Sequence, residues 1–194
     1  LQALRKRCSE VGALLIFDEI QTGMGRTGEM FACTKYGVTP DIVCLAKAFG
    51  GGMPLGAFVS SNEIMGTLAH DPVLGHITTF GGHPVCCAAG LAALRYLLEH
   101  NTVAEVERKG ALYEELLADH PQVCEIRRSG LLLAIELGSS EKMFRMMEMF
   151  AEEGIMSDWF LYCDTAFRIS PPLTITEAEI EECCTIIERS LDRL

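Results

Sequence analysis

Two short apolar runs, each closed by a charged residue, constrain this chain most. Ala13-Leu14-Leu15-Ile16-Phe17 ends in Asp18-Glu19, and Ile42-Val43-Cys44-Leu45-Ala46 ends at Lys47. Runs this short, bounded by glycine and charge, predict strands buried on both faces rather than helices. Gly56-Ala57-Phe58-Val59-Ser60 predicts a third such strand. Strands of this kind imply an α/β class with a mostly parallel sheet.

Around these runs the pattern is helical, then alternating. Residues 3–10 read as the end of a helix closed near Gly12, and Pro84 opens a helix running to about Glu99. Val103, Val106, Tyr113 and Leu117 predict a helix over 102–119. Alternation then predicts paired strands at 123–126 and 131–137, joined around Ser129-Gly130. A helix at 141–153 stops at Gly154, and short strands are expected near 155–161 and 166–170. Thr176-Glu177-Ala178-Glu179 is a capping box for a last helix with the stripe Ile180, Cys184, Ile187 and Leu191. A lobe boundary is expected near 96–102, separating 1–98 from 99–194.

Composition excludes several function classes. With 194 residues, 49% of them hydrophobic, the chain can bury a core. A net charge of −11 argues against nucleic acid and anionic membranes as partners. The cysteines number nine, an odd count without zinc or redox spacing, which suits reduced thiols in a cytoplasmic protein. No metal spacing joins the histidines at 70, 76, 100 and 120, and no apolar run reaches the roughly 18 residues of a membrane span. The first residues do not form a signal peptide; they open inside an amphipathic pattern, as expected of a piece of a larger protein.

The charged strand ends carry the chemistry. The carboxyl ends of buried parallel strands are where α/β sheets place ligands, and Asp18 and Lys47 both lie there. Alone, Asp18 would start a turn and Lys47 would be a solvated strand-end lysine. As a pair they suit pyridoxal 5'-phosphate: one group forms an imine with the aldehyde, and the other keeps the pyridine nitrogen protonated. An apolar run ending in Asp-Glu also suits the magnesium strand of a P-loop ATPase, but G-x-x-x-x-G-K-[ST] does not occur here. After Lys47, Gly50-Gly51-Gly52 lets backbone pass close to a flat ligand, or simply turns. Thr78-Thr79-Phe80-Gly81-Gly82-His83 leads into a helix N-terminus and offers an anion site or an ordinary cap, with His83 a cap or packing residue. Arg168, before Ser170-Pro171-Pro172, is either a surface arginine or a carboxylate ligand held by a rigid turn.

Together these segments resemble one family. Asp18-Glu19-Ile20-Gln21-Thr22-Gly23 with Gly25-Arg26-Thr27-Gly28 resembles the D-E-x-Q-T-G-x-G-R-T-G signature of class III aminotransferases, of the ornithine and acetylornithine kind. Pro40-Asp41-Ile42 through Lys47, the glycine loop to Ala57, Thr79-Phe80-Gly81-Gly82, and Arg168 to Leu173 match further family motifs in order. The resemblance covers essentially the whole chain. It departs at His83, where the family usually has Asn, and at Phe49, where it has an aliphatic residue.

The resemblance implies fold type I, with 1–98 the C-terminal part of the large cofactor domain and 99–194 the small C-terminal α/β domain. It implies pyridoxal 5'-phosphate as cofactor, Lys47 as the Schiff-base lysine and proton shuttle, and Asp18 at the pyridine nitrogen. Gln21 would approach the phenolic oxygen, Thr79 would bind the phosphate from the neighbouring subunit, and Arg168 would contact or gate a substrate carboxylate. The implied enzyme is a cytoplasmic homodimer. It moves an amino group from a basic or ω-amino acid to a 2-oxo acid such as 2-oxoglutarate. An aminomutase of the same family is a variant. Family members carry about as many residues again upstream, including a Gly-rich phosphate loop and an aromatic that stacks on the ring. A non-catalytic structural fragment is therefore the alternative for the chain itself.

Overall fold

The computed structural model describes all residues except Pro72 and Leu74. They divide into two compact units, one of Leu1–Gly25 with Glu29–Val103, the other of Arg26–Gly28 with Ala104–Leu194.

In the first unit, helix α1 (Gln2–Val11) ends at Gly12 and leads into strand β1 (Ile16–Asp18). A short helix α2 (Ala32–Lys35) precedes β2 (Ile42–Leu45), a 3₁₀ turn spans Lys47–Gly50, and β3 (Ala57–Ser60) follows. Helices α3 (Asn62–Gly66) and α4 (Pro84–Glu99) complete the unit. Strand order is β1-β2-β3. The β1–β2 pair is parallel, with Asp18 opposite Cys44, whereas β2–β3 is antiparallel, with Cys44 opposite Phe58. The sheet is therefore mixed. The link 46–56 holds only a 3₁₀ turn, too short a crossover for a third parallel strand.

The expectation of strands buried on both faces is corrected here. Ile16 is 56% exposed and Val59 55%, and they lie on opposite faces of this sheet. Among the described residues of the unit, the buried apolar ones are instead Leu15, Met24, Ala32, Val38, Leu45 and Cys86. Asp41 ties α1 to the sheet. Its Oδ2 accepts from the Leu15 N–H and from Arg5 Nη1, each at 2.6 Å. Those two donors, the backbone one first, hold its carboxyl below the usual range.

In the second unit, a 3₁₀ turn (Thr102–Glu105, its first two residues in the other unit) runs into α5 (Val106–Leu117). Strands β4 (Glu125–Ser129) and β5 (Leu132–Glu136) form an antiparallel pair around Gly130. Helix α6 (Ser140–Glu153) stops at Gly154, and the hairpin β6 (Asp158–Phe160) and β7 (Cys163–Ile169) leads to α7 (Glu177–Leu191). The sheet order β4-β5-β7-β6 is antiparallel throughout. The capping box forms as expected: Thr176 Oγ1 accepts from the Glu179 N–H, and Glu179 Oε2 accepts from the Thr176 N–H at 2.7 Å. Ile180, Cys184, Ile187 and Leu191 are all buried, packed with Tyr113, Leu133, Ile135, Met146, Phe150 and Phe167 in one core. Full burial of such side chains stabilises by about 1.5–3 kcal/mol each before entropy is counted, so this unit carries its own hydrophobic centre.

Glycine contacts fix the Arg26–Gly28 piece. Gly130 has φ +60, and a Cβ there would lie 2.6 Å from Thr27 C, 2.7 Å from Arg26 O and 2.8 Å from Gly28 N. Only a glycine lets the backbones approach so closely. The Leu131 N–H then donates to Arg26 O at 3.0 Å.

Candidate functional site

Parallel pairing brings Asp18 and Lys47 to one end of the first sheet. Asp18 is the last residue of β1, and Lys47 follows β2 by two residues, so both leave from carboxyl ends of adjacent strands. Both side chains are exposed. Asp18 Oδ1 accepts from the Ile20 N–H at 3.0 Å, which turns the chain after the strand. The Lys47 ammonium makes no hydrogen bond or ion pair among the described residues. Its backbone has φ 49, in the left-handed region. A non-glycine residue held there costs on the order of 1–3 kcal/mol.

The loop after Lys47 is braced on α4. A Cβ on Gly51, at φ +59, would meet Ala89 O at 2.4 Å and Ala93 Cβ at 2.9 Å. Gly90 in turn leaves room for Phe49 O, which a Cβ there would meet at 2.6 Å. At Gly51, then, the close approach is to a helix backbone, and the reading of a glycine kept free for a ligand is corrected. Gly52 alone of the three has open space around it.

Gln21 lies half-buried in the turn after Asp18. That turn hangs on Glu19, which sequence reasoning passed over. Glu19 is 2% exposed. Its carboxylate accepts from Thr22 Oγ1 at 2.5 Å, from the Ala32 N–H at 3.0 Å and from the Cys33 N–H at 2.7 Å. Helix α2 has no cap from its own N-cap residue, Phe31, so Glu19 satisfies its first donors. Burial, then the Glu19 charge, pushes the Cys33 thiol up. The signal in sequence was an acid beside Asp18; its burial depends on residues 13 and 14 positions away.

Thr79 lies in the exposed turn before α4. His83 is the N-cap of that helix, its Nδ1 accepting from the Val85 N–H at 3.3 Å, with Pro84 in the first turn. This is the capping role expected for His83, and the helix N-terminus directly follows the Thr79 segment.

In the second unit, Arg168 is half-buried on β7, paired with Ala134 of β5 and Asp158 of β6. Its Nη2 lies 3.5 Å from Asp158 Oδ2. Arg26 Nη1 donates to Leu131 O at 2.9 Å and to Pro171 O at 2.6 Å, bracing the Pro171-Pro172 turn. Burial first, and the nearby Arg168 charge second, lower the Arg26 pKa. Arg168 also borders a cavity of about 410 Å³ lined by Tyr113, Phe150, Phe167 and Ile187. Among the described residues, no helix is long and apolar enough to cross a membrane.

Residues 1–191 match the aminotransferase class-III family. Solved structures agree. A Bacillus anthracis aminotransferase shares 29% identity at a TM-score of 0.90, covering 100% of this chain and 48% of that one. A Plasmodium falciparum ornithine δ-aminotransferase shares 32% identity at 0.85, with 99% and 49% covered. An acetylornithine aminotransferase from Elizabethkingia anophelis shares 32% at 0.85, with 100% and 51% covered. This chain spans about half the length of these neighbours. Its fold is that of the fold-type I part they share.

Proposed function

Because the chain belongs to the class-III aminotransferases, we propose that it is the lysine-bearing part of a pyridoxal 5'-phosphate-dependent transaminase. The proposed reaction moves an amino group from a basic or ω-amino acid to a 2-oxo acid such as 2-oxoglutarate. Similarity to ornithine and acetylornithine aminotransferases supports that donor class. A homodimer working in the cytoplasm is the proposed setting.

The observation that carries the reading is the register of β1 and β2, which sets a carboxylate and an unpartnered primary amine on adjacent strand ends. This donor set fits the cofactor. When bound, the cofactor supplies an aldehyde and an electron-accepting ring. Lys47 would hold it through its side-chain nitrogen, as the neutral amine, and carry the proton to and from the substrate carbon. Asp18, with its Oδ1 fixed by the Ile20 N–H, would keep a proton on the pyridine nitrogen through Oδ2. Gln21 would bond the phenolic oxygen. Thr79, beside the α4 N-terminus, would donate to a phosphate across a subunit boundary. Arg168 would take a substrate carboxylate in its planar fork.

Titration of the chain with pyridoxal 5'-phosphate, followed by absorption, tests this. A visible imine band that Lys47→Ala abolishes and Asp18→Asn weakens is the expected result. Ornithine would then bleach the band, and 2-oxoglutarate would restore it. A band unchanged in Lys47→Ala would sink the assignment. A second reading, a structural half that holds cofactor only with the rest of the family's fold, is favoured by the exposed Ile16, Phe58 and Val59. It predicts no band for this chain and a Lys47-dependent band in a full-length relative carrying these residues.

A further inference from the structure

Lys47 sits in a backbone conformation that the hydrogen bonds of its own turn do not require. Those bonds run from the Phe49 N–H to Ala46 O at 3.0 Å and from the Gly51 N–H to Ala48 O at 3.1 Å. Bonds of this span close equally well over ordinary right-handed residues, so they do not account for the φ of 49 at Lys47. A strained residue persists where its surroundings over-determine it, and here the surroundings include α4. The residues that α4 buries are Cys86 and Gly90. Gly90 receives Phe49: a Cβ there would lie 2.6 Å from Phe49 O and 2.9 Å from Leu55 Cδ2. Ala93, three residues further on the same face of the helix, and the Ala89 carbonyl receive Gly51, whose φ is +59. Gly50, between them, is buried, and Leu55 N and Cβ each lie 3.2 Å from where its Cβ would be. Three successive residues after Lys47 and Ala48 are thus gripped, largely by main-chain atoms that cannot swing aside.

We propose that Gly90 is a positioning residue for Lys47: its missing side chain lets the turn after Lys47 seat on α4, and that seating keeps the Lys47 backbone left-handed. This rests on the proposed role of Lys47 as the residue that holds the cofactor. The Lys47 side chain is exposed and has no partner among the described residues, so the main chain sets the direction in which it leaves. A seated turn fixes that direction. An unseated turn relaxes to right-handed backbone and swings the amine out of line.

The test compares two substitutions at Lys47 in two backgrounds. Lys47→Gly and Lys47→Ala both remove the amine, and they differ in their tolerance of a positive φ. With Gly90 in place, Lys47→Gly should melt about 2–4 °C above Lys47→Ala. In the Gly90→Ala background that order should vanish or reverse, because glycine loses its advantage once the residue relaxes. Ala93→Val crowds the turn from the Gly51 side and carries the same comparison if Gly90→Ala does not fold. Gly66→Ala, with open space around it, is the control and should leave the order intact. The second readout is borohydride trapping with pyridoxal 5'-phosphate. The adduct at Lys47, measured against Lys6 and Lys35, should fall about tenfold in Gly90→Ala. Acetylation of Lys47 by acetic anhydride, which needs no alignment, should stay near wild type. An equal advantage for Lys47→Gly in both backgrounds, or none in either, would overturn the proposal. So would undiminished selectivity for Lys47 in a folded Gly90→Ala chain. The melting comparison needs no cofactor, so its failure is distinguishable from a missing wild-type adduct, which bears on the aminotransferase reading alone.

Discussion

Replacing Glu19 by Ala removes the acceptor for three hydrogen bonds at once. The carboxylate is 2% exposed, and its donors are Thr22 Oγ1, the Ala32 N–H and the Cys33 N–H at 2.5, 3.0 and 2.7 Å. The Thr22 hydroxyl can rotate to another partner. The two backbone donors cannot, because α2 has no side-chain cap of its own. Hydrogen bonds to charged groups are worth about 1.5–3 kcal/mol each, so the loss should be about 3–5 kcal/mol within the first unit. Glu19→Gln keeps one acceptor oxygen but turns an amide N–H₂ toward the donors, and should cost about half as much. Amide hydrogen exchange read by mass spectrometry, together with thermal unfolding, measures both. The peptide containing Ala32 and Cys33 should lose protection in Glu19→Ala before the second unit does. The same turn carries Gln21, proposed above to bond the cofactor's phenolic oxygen, so on that proposal cofactor affinity should fall with it. A loss under about 1 kcal/mol, or wild-type protection at those two amides, would refute the reasoning.

Further outcomes follow from other contacts. Burial pushes the Glu136 carboxyl up, but bonds from Thr165, Arg127, the Gly138 N–H and Cys163 outweigh it and hold the pKa down to about 2, against 4.5 unperturbed. Its contribution is full above pH 4.5 and is lost as pH falls through 2, so Glu136→Gln should flatten acid unfolding there; an unchanged acid limb would contradict this. Gly110→Ala would set a Cβ 2.1 Å from Gly130 O, and overpacking of that kind costs about 1–3 kcal/mol; a melting temperature equal to wild type would show that α5 moves freely from Gly130. Burial first, then Cys183 and Glu188, push the Cys184 thiol up to about 12, whereas Cys124 is exposed. Iodoacetamide near neutral pH should therefore label Cys124 long before Cys184, and equal rates in the folded chain would contradict the packing of α7.

What could be read in sequence was whatever depends on neighbours along the chain. The capping box at Thr176 and its stripe, the stop at Gly154 and the start at Pro84 are local, and each sits where the pattern put it. The apolar runs before Asp18 and Lys47 became strands for the same reason. Burial was less legible. The alternation-free runs implied two covered faces, yet Ile16, Phe58 and Val59 stand exposed, since a run of apolar residues does not say what lies over it. The hairpin was placed but not measured: β7 runs Cys163–Ile169, longer than the segment near 166–170, because ladder bonds to both β5 and β6 extend it. Long-range partners were out of reach. Glu19 caps a helix from another segment, Gly51 rests on α4, and Asp158 meets Arg168 only through strand register.

The central claim is that Lys47 is the residue to which the cofactor attaches. Borohydride reduction of the chain with pyridoxal 5'-phosphate, followed by proteolysis and mass spectrometry, tests it most directly. The account predicts one dominant reduced adduct, on the peptide carrying Lys47, and its loss in Lys47→Ala. An adduct spread over exposed lysines such as Lys6 and Lys35, with Lys47 no more modified than they are, would contradict it.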